Sequence, residues 1–102
     1  MNNLEGKVAV ITGGNGVLGG AIAMGLANHK VKVGILGRTQ ETVNKRVAEI
    51  TNNGGEALAL VADVLDENAL KDAASKIIDR WGKIDILVNA AGGKSERSNN
   101  WP

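Results

Sequence analysis

Lys7 to Gly20 reads KVAVITGGNGVLGG, a short apolar run that passes at once into glycines and then into a helical pattern. Val8, Ala9, Val10 and Ile11 are apolar without alternation, the pattern of a strand buried on both faces of a parallel sheet. Gly13, Gly14, Gly16 and Gly19 let the backbone turn tightly and come close to a ligand with no Cβ in the way. A helix opening at this point aims unpaired N–H groups and the positive end of its dipole at the loop, which makes an anion site. Strand, glycine turn and helix N-terminus together predict a cradle for a dinucleotide pyrophosphate.

Outward from that stretch the chain alternates. Val17 to about Asn28 carries Leu18, Ile22 and Leu26 at helical spacing, with Gly19, Ala21 and Ala23 small enough for close packing on a sheet. Lys32 to Leu36 (KVGIL) predicts a second strand. Thr39 is placed to cap a helix running to about Asn52, with Val43, Val47 and Ile50 as its apolar stripe and Asn52-Asn53-Gly54-Gly55 as its stop. Ala57 to Ala62 predicts a third strand. Asp66 caps a third helix whose inner face is expected to hold Leu70, Ala73, Ala74, Ile77, Ile78 and Trp81, ending at Gly82. Ile84 to Val88 predicts a fourth strand. Short links between alternating strands and helices mean parallel strands and right-handed crossovers. The expected fold class is α/β, a Rossmann-like αβα sandwich on a four-stranded parallel sheet in the order 3-2-1-4.

Composition narrows the function classes. Of the 102 residues, 43% are hydrophobic and 23% charged, as in an ordinary globular domain. A net charge of +1 gives no case for nucleic acid or an anionic membrane surface. Cysteine is absent, which excludes disulfides and thiolate metal sites. The one histidine, His29, falls near the end of the first helix, where a helix C-terminus or solvent is a better partner than a metal. No apolar stretch approaches membrane-spanning length and MNNLEGK does not read as a signal peptide, so a cytoplasmic module is expected.

Three motifs in order resemble the short-chain dehydrogenase/reductase family. Thr12-Gly13-Gly14-Asn15-Gly16-Val17-Leu18-Gly19 is similar to its Thr-Gly-x-x-x-Gly-x-Gly fingerprint; Ala62-Asp63-Val64 and Asn89-Ala90-Ala91-Gly92 stand where two further landmarks belong. The resemblance runs from about Leu4 to Gly93. Val17 departs from it by taking the place of a glycine, with Gly16 one residue earlier, and its Cβ is expected either to crowd the pyrophosphate or to be offset by a shift of the loop. The TGGxGVLGG form is similar to the branch that handles sugar acids such as mannonate and fructuronate. The resemblance implies an oxidoreductase interconverting an alcohol and a carbonyl. It also implies a chain more than twice as long as this one, and a catalytic Tyr-x-x-x-Lys pair that has no counterpart here because tyrosine is absent. The chain is therefore expected to be the dinucleotide-binding half of such an enzyme, over residues 1–93, with no turnover by itself. The alternative is a non-catalytic nucleotide-binding or interaction module.

By the same resemblance the cofactor residues are Gly13, Asn15, Gly16, Val17, Leu18, Gly19, Arg38, Asp63, Val64, Asn89, Ala90, Ala91 and Gly92. Cofactor choice turns on the end of the second strand. An acidic residue there accepts hydrogen bonds from the adenosine ribose and repels a 2′-phosphate, whereas this chain has Gly37-Arg38. A guanidinium can form paired, charge-assisted hydrogen bonds with a phosphate, so NADP is favoured over NAD. The resemblance assigns Asp63 to the adenine amino group and Val64 to the ring, unless Asp63 only forms its own turn. It also has Asn89 brace the sheet, while Thr12 is expected to tie the loop to it. Asp79 and Asp85 read as surface or turn carboxylates, and Trp81 as core or interface.

Residues 94–102 are polar and aperiodic and are expected to be disordered. Codons for Ala-Thr-Thr-Gly read one nucleotide out of register can give Ser98 to Trp101, so a frameshift near Gly93 is expected to have replaced the original continuation, with a naturally short chain or a partial one as the alternatives. The fourth strand would then be an open apolar edge, and self-association or aggregation through it is expected.

Overall fold

Residues 3–90 are described by the computed structural model. The order is β1 (Val8–Thr12), α1 (Val17–Asn28), β2 (Lys32–Gly37), α2 (Gln40–Asn52), β3 (Ala57–Val61), α3 (Glu67–Trp81) and β4 (Ile86–Asn89). The four strands form one parallel sheet in the order β3-β2-β1-β4, as the alternation predicts. The end of the expected domain at residue 93 and the expected tail at 94–102 lie outside the described residues, as do Ala91 and Gly92.

The strands sort their side chains between two cores by strict alternation. Ala9, Ile11, Val33 and Ile35 face α1 and α2, and pack with Ala23, Ala27, Val43 and Ile50. Val8, Val10, Leu36 and Leu60 face the other way, onto Leu70, Ala73 and Ile77 of α3. Both faces of β1 are thus buried along its length, which is why its sequence is continuously apolar.

Helix α1 does not bury the stripe its large residues suggest. Gly19, Ala23 and Ala27 face the sheet, while Leu18 is 66% exposed and Leu26 is only partly buried. The helix lies too close for large side chains: a Cβ at Gly19 would overlap the Gly13 carbonyl. Helix α2 buries Val43 and Ile50, with Val47 packed beside them. Its expected Thr39 side-chain cap is absent; Thr42 Oγ1 instead donates to the Thr39 carbonyl at 3.1 Å. Asp66 caps α3 as expected, its Oδ1 accepting from the Ala69 N–H at 3.1 Å, and Gly82 ends the helix with φ 83°. The inner face of α3 is narrower than its pattern suggests. Leu70, Ala73 and Ile77 are buried, but Ile78 is 45% exposed, because it sits one residue, about 100°, round the helix from Ile77. His29 caps α1, with Nδ1 3.0 Å from the Gly25 carbonyl oxygen.

Strand β4 starts later than its apolar run suggests, at Ile86 instead of Ile84. Asp85 accounts for the difference. Its N–H donates to the Val8 carbonyl at 2.8 Å, and its Oδ2 accepts the Val8 N–H at 2.8 Å. A side chain thus takes the place of the next rung of the ladder. Lys83 Nζ stands 3.2 Å from the same oxygen. The Val8 hydrogen bond holds the Asp85 carboxyl below its ordinary value of 3.8; partial burial opposes this, and Lys83 and Lys7 assist. A lowered carboxyl stabilises the fold above the unfolded-state value, and that contribution is lost as pH falls through the folded one. Asp85→Asn is therefore expected to lower Tm at neutral pH and to converge on the wild type in acid. Melting curves from pH 7 down to about pH 3 check this; parallel curves over the whole range would rule it out.

Candidate functional site

The expected site residues that are described all gather at the C-terminal ends of the strands. There β1 gives way to the loop Gly13–Gly16, and Gly13 turns with φ 72°. The loop is anchored to β2: the Gly13 N–H donates to the Leu36 carbonyl at 2.7 Å, and the Gly14 N–H reaches the same oxygen at 3.2 Å. The Gly16 N–H closes back on the Gly13 carbonyl at 3.0 Å. Helix α1 then begins with no side-chain cap and no acidic residue in its first turn. The N–H groups of Val17, Leu18 and Gly19 have no acceptor within the helix. They open at the loop, carrying the positive end of the helix dipole.

Gly16 differs from its neighbours in one respect. A Cβ on Gly14 would crowd the Ile11 carbonyl at 3.0 Å and Ile35 at 3.1 Å, but one on Gly16 would meet only the Gly13 carbonyl, at an ordinary 3.4 Å. Its backbone is extended, φ −84° and ψ 179°, which any residue can adopt. The fold itself therefore does not require glycine there. Val17, the departure from the fingerprint, is 86% exposed.

Around this loop stand the other expected residues. Arg38, just past β2, is exposed, and no side-chain partner reaches it among the described residues. Asp63 forms an Asx turn beyond β3, its Oδ1 accepting the Leu65 N–H at 2.9 Å. Val64 packs at the edge of the α3-side core. Asn89 ends β4, and the buried Thr12 Oγ1 donates to its Oδ1 at 2.9 Å, with the Val88 carbonyl at 3.3 Å alongside. The Ala90 N–H donates to the Thr12 carbonyl at 3.0 Å. Thr12 therefore fastens the ends of β1 and β4 together, and Asn89 braces the sheet.

Two residues that matter here have no signal in the sequence. Thr42 on α2 receives a hydrogen bond from Asn15 Nδ2 at 2.8 Å across 27 residues, and Asp85 clasps Val8 across 77. Trp81 is partly buried, its Nε1 donating to Glu56 at 2.9 Å. An open hollow of about 480 Å³ lies on α3 between Lys71, Ala74, Ser75, Ile78 and Asp79, remote from the glycine loop. Among the described residues no cluster of His, Asp or Glu could hold a metal ion, and no helix is long and apolar enough to cross a membrane.

The short chain dehydrogenase family model matches residues 7–101. The chain belongs to the short-chain dehydrogenase family. An uncharacterized oxidoreductase of Bacillus subtilis, UxuB, is 53% identical over 91 residues, which are 89% of this chain and 33% of that protein. Among solved structures, a proposed D-mannonate oxidoreductase from Haemophilus influenzae with bound NAD superposes with a TM-score of 0.85 at 37% identity, over 93% of this chain and 34% of that one. L-Sorbose reductase from Gluconobacter frateurii, solved with NADPH and L-sorbose, gives 0.84 at 29% identity, over 92% and 36%. This family chain thus spans about a third of the length of each of these relatives.

Within the family site, Thr12 is the tie whose loss can be read directly. Thr12→Val keeps the shape and removes the hydroxyl, and is expected to cost about 0.5–1.5 kcal/mol. Denaturant melts of the two proteins measure this; an unchanged midpoint would show that Asn89 holds β4 without Thr12.

Proposed function

We propose that this chain is the cofactor-binding part of an NADP-preferring short-chain oxidoreductase that interconverts an alcohol and a carbonyl. The observation that carries the reading is Gly16: the fold leaves room for a Cβ there, and a phosphate approaching the N–H groups of Val17, Leu18 and Gly19 would not. The uncapped, acid-free start of α1 fits the same ligand. Gly13 to Gly19 would hold the pyrophosphate, Asp63 and Val64 the adenine, and Asn89, Ala90, Ala91 and Gly92 the nicotinamide ribose. When bound, the nicotinamide carries the hydride; the residues of this chain bind and orient it.

The preference for NADP rests on Gly37 and Arg38, since solved relatives hold both NAD and NADPH. Position 37 carries no acid to repel a 2′-phosphate, and the guanidinium of Arg38 is uncommitted. The TGGNGVLGG loop and the likeness to the Haemophilus protein support a sugar acid as substrate of the whole enzyme. No tyrosine is present, so the family's Tyr-x-x-x-Lys pair has no counterpart in these residues. A second reading takes these residues as a nucleotide-binding module without chemistry.

Calorimetric titration of the chain with NADP and NAD tests the proposal. NADP is expected to bind more tightly, and Arg38→Ala to weaken NADP about tenfold or more while leaving NAD unchanged. Binding of neither dinucleotide by the folded chain would sink the proposal. An alcohol oxidised in the same cell by the chain alone would sink the module reading.

The outer edge of β4 supports self-association. Leu87 is 43% exposed on the α3 side, and among the described residues no strand pairs with the outer N–H and C=O groups of β4. Sedimentation velocity is expected to show association that grows with concentration and is relieved by Leu87→Lys; a monodisperse monomer at high concentration would exclude it.

A further inference from the structure

Position 37 is closed by a side chain, not by the backbone. Gly37 is buried at the end of β2 and does not have a positive φ, so its main chain would accept any residue. A Cβ there would lie 2.5 Å from Asn15 Oδ1, 2.6 Å from Cγ and 2.9 Å from Nδ2. All three atoms are the end of one side chain. That end is held in place: Asn15 Nδ2 donates to Thr42 Oγ1 at 2.8 Å, and Thr42 Oγ1 donates on to the Thr39 carbonyl at 3.1 Å. The carboxamide of the glycine loop is thus latched to the first turn of α2, directly over Gly37.

We propose that Asn15, pinned by Thr42 over Gly37, is a positioning residue that sets cofactor specificity by reserving the space an acidic side chain at position 37 would need. The inference rests on the dinucleotide reading above. A side chain at 37 can enter only if Asn15 rotates off and gives up Thr42. Asn15 and residue 37 are therefore competing occupants of one volume. The present occupant is a neutral amide, so Arg38 is left as the charged group at this end of the site. Preference for the phosphorylated ribose then belongs to the pair 15 and 37 jointly, and changing residue 37 alone does not reverse it.

Two measurements on the 102-residue chain test this. The first is thermal melting without cofactor of wild type, N15A, G37A and N15A/G37A. G37A is expected to lower Tm by roughly 4 °C or more in the wild-type background and to have little effect beside N15A. T42V, which removes the latch, should reduce the G37A penalty in the same way. An equal G37A penalty in every background, or a double variant no more stable than G37A alone, overturns the competition.

The second measurement is calorimetric titration of NAD and NADP into G37D and N15A/G37D. The double variant is expected to bind NAD about tenfold tighter than G37D, and only the double variant to prefer NAD. Equal NAD affinities in the two overturn the specificity role. If the wild type binds neither dinucleotide, the proposed function falls and takes the specificity role with it. The melting cycle then still decides whether Asn15 and residue 37 compete.

Discussion

The Gly13 carbonyl occupies the space that a side chain on Gly19 would need, and much of the structure depends on that close approach. It brings the first turn of α1 down onto the glycine loop, so the free N–H groups of the helix open where the loop turns. It fixes the face of α1 that meets the sheet, which must then be Gly19, Ala23 and Ala27, with the larger Leu18 left at the rim. With α1 seated low, Ala23 and Ala27 join the core of Ile11, Ile35 and Ile50 without forcing the layers apart. The same glycines therefore serve packing and anion geometry together. Gly16, by contrast with Gly14 and Gly19, is not required by packing.

Strand β4 depends on side chains more than on its own ladder. It has four residues, and among the described residues it pairs with β1 alone. Asp85 clasps Val8 at its start, and Thr12 clasps Asn89 at its end. Between these clasps Ile86 and Val88 pack on the α1–α2 core, whereas Leu87 faces the thinner α3 layer. An edge strand this short gains its fixed register from the two clasps, because a slip of one residue would break both and turn Leu87 inward.

Most of the fold was legible because the signals were local. The apolar run at Val8 to Ile11, the glycines after it and the Asp66 and Gly82 caps each act within a few residues, and each element they predict is present. The misread helix faces share one cause. Periodicity shows which residues are apolar but not how close the neighbouring layer lies, so it put Leu18 in the stripe of α1 beside the correctly placed Gly19 and Ala23, and added Ile78 to the inner face of α3. At the site, the loop, Arg38, Asp63 and Asn89 fall together at the strand ends as their motifs imply. Thr42 and Asp85 could not be found in this way. A threonine in a first helical turn and an aspartate before a strand are ordinary local choices, and what makes them matter is a partner 27 or 77 residues away.

The two faces of the sheet are unequally covered, and that bears on where binding can occur. On one face α1 and α2 span the sheet from β3 to β4, and every strand contributes to a single core. On the other, α3 covers β1, β2 and β3 through Val10, Leu36 and Leu60, while Leu87 of β4 stays half open. The glycine loop, Asn15 and Thr42 belong to the well-covered side, tied to α1, β2 and α2 by short hydrogen bonds. On the proposed reading, the pyrophosphate and ribose ends would thus rest on the most constrained part of the molecule, and the nicotinamide end, at Asn89 and Ala90, on its least covered strand. A dinucleotide can be gripped by the first of these without the second being rigid. Hydride transfer cannot proceed that way, since it requires the nicotinamide face to be held still against a substrate. On the proposed reading, recognition of the cofactor would rest on the α1–α2 side and its use on β4, the strand held to β1 by Asp85 and Thr12.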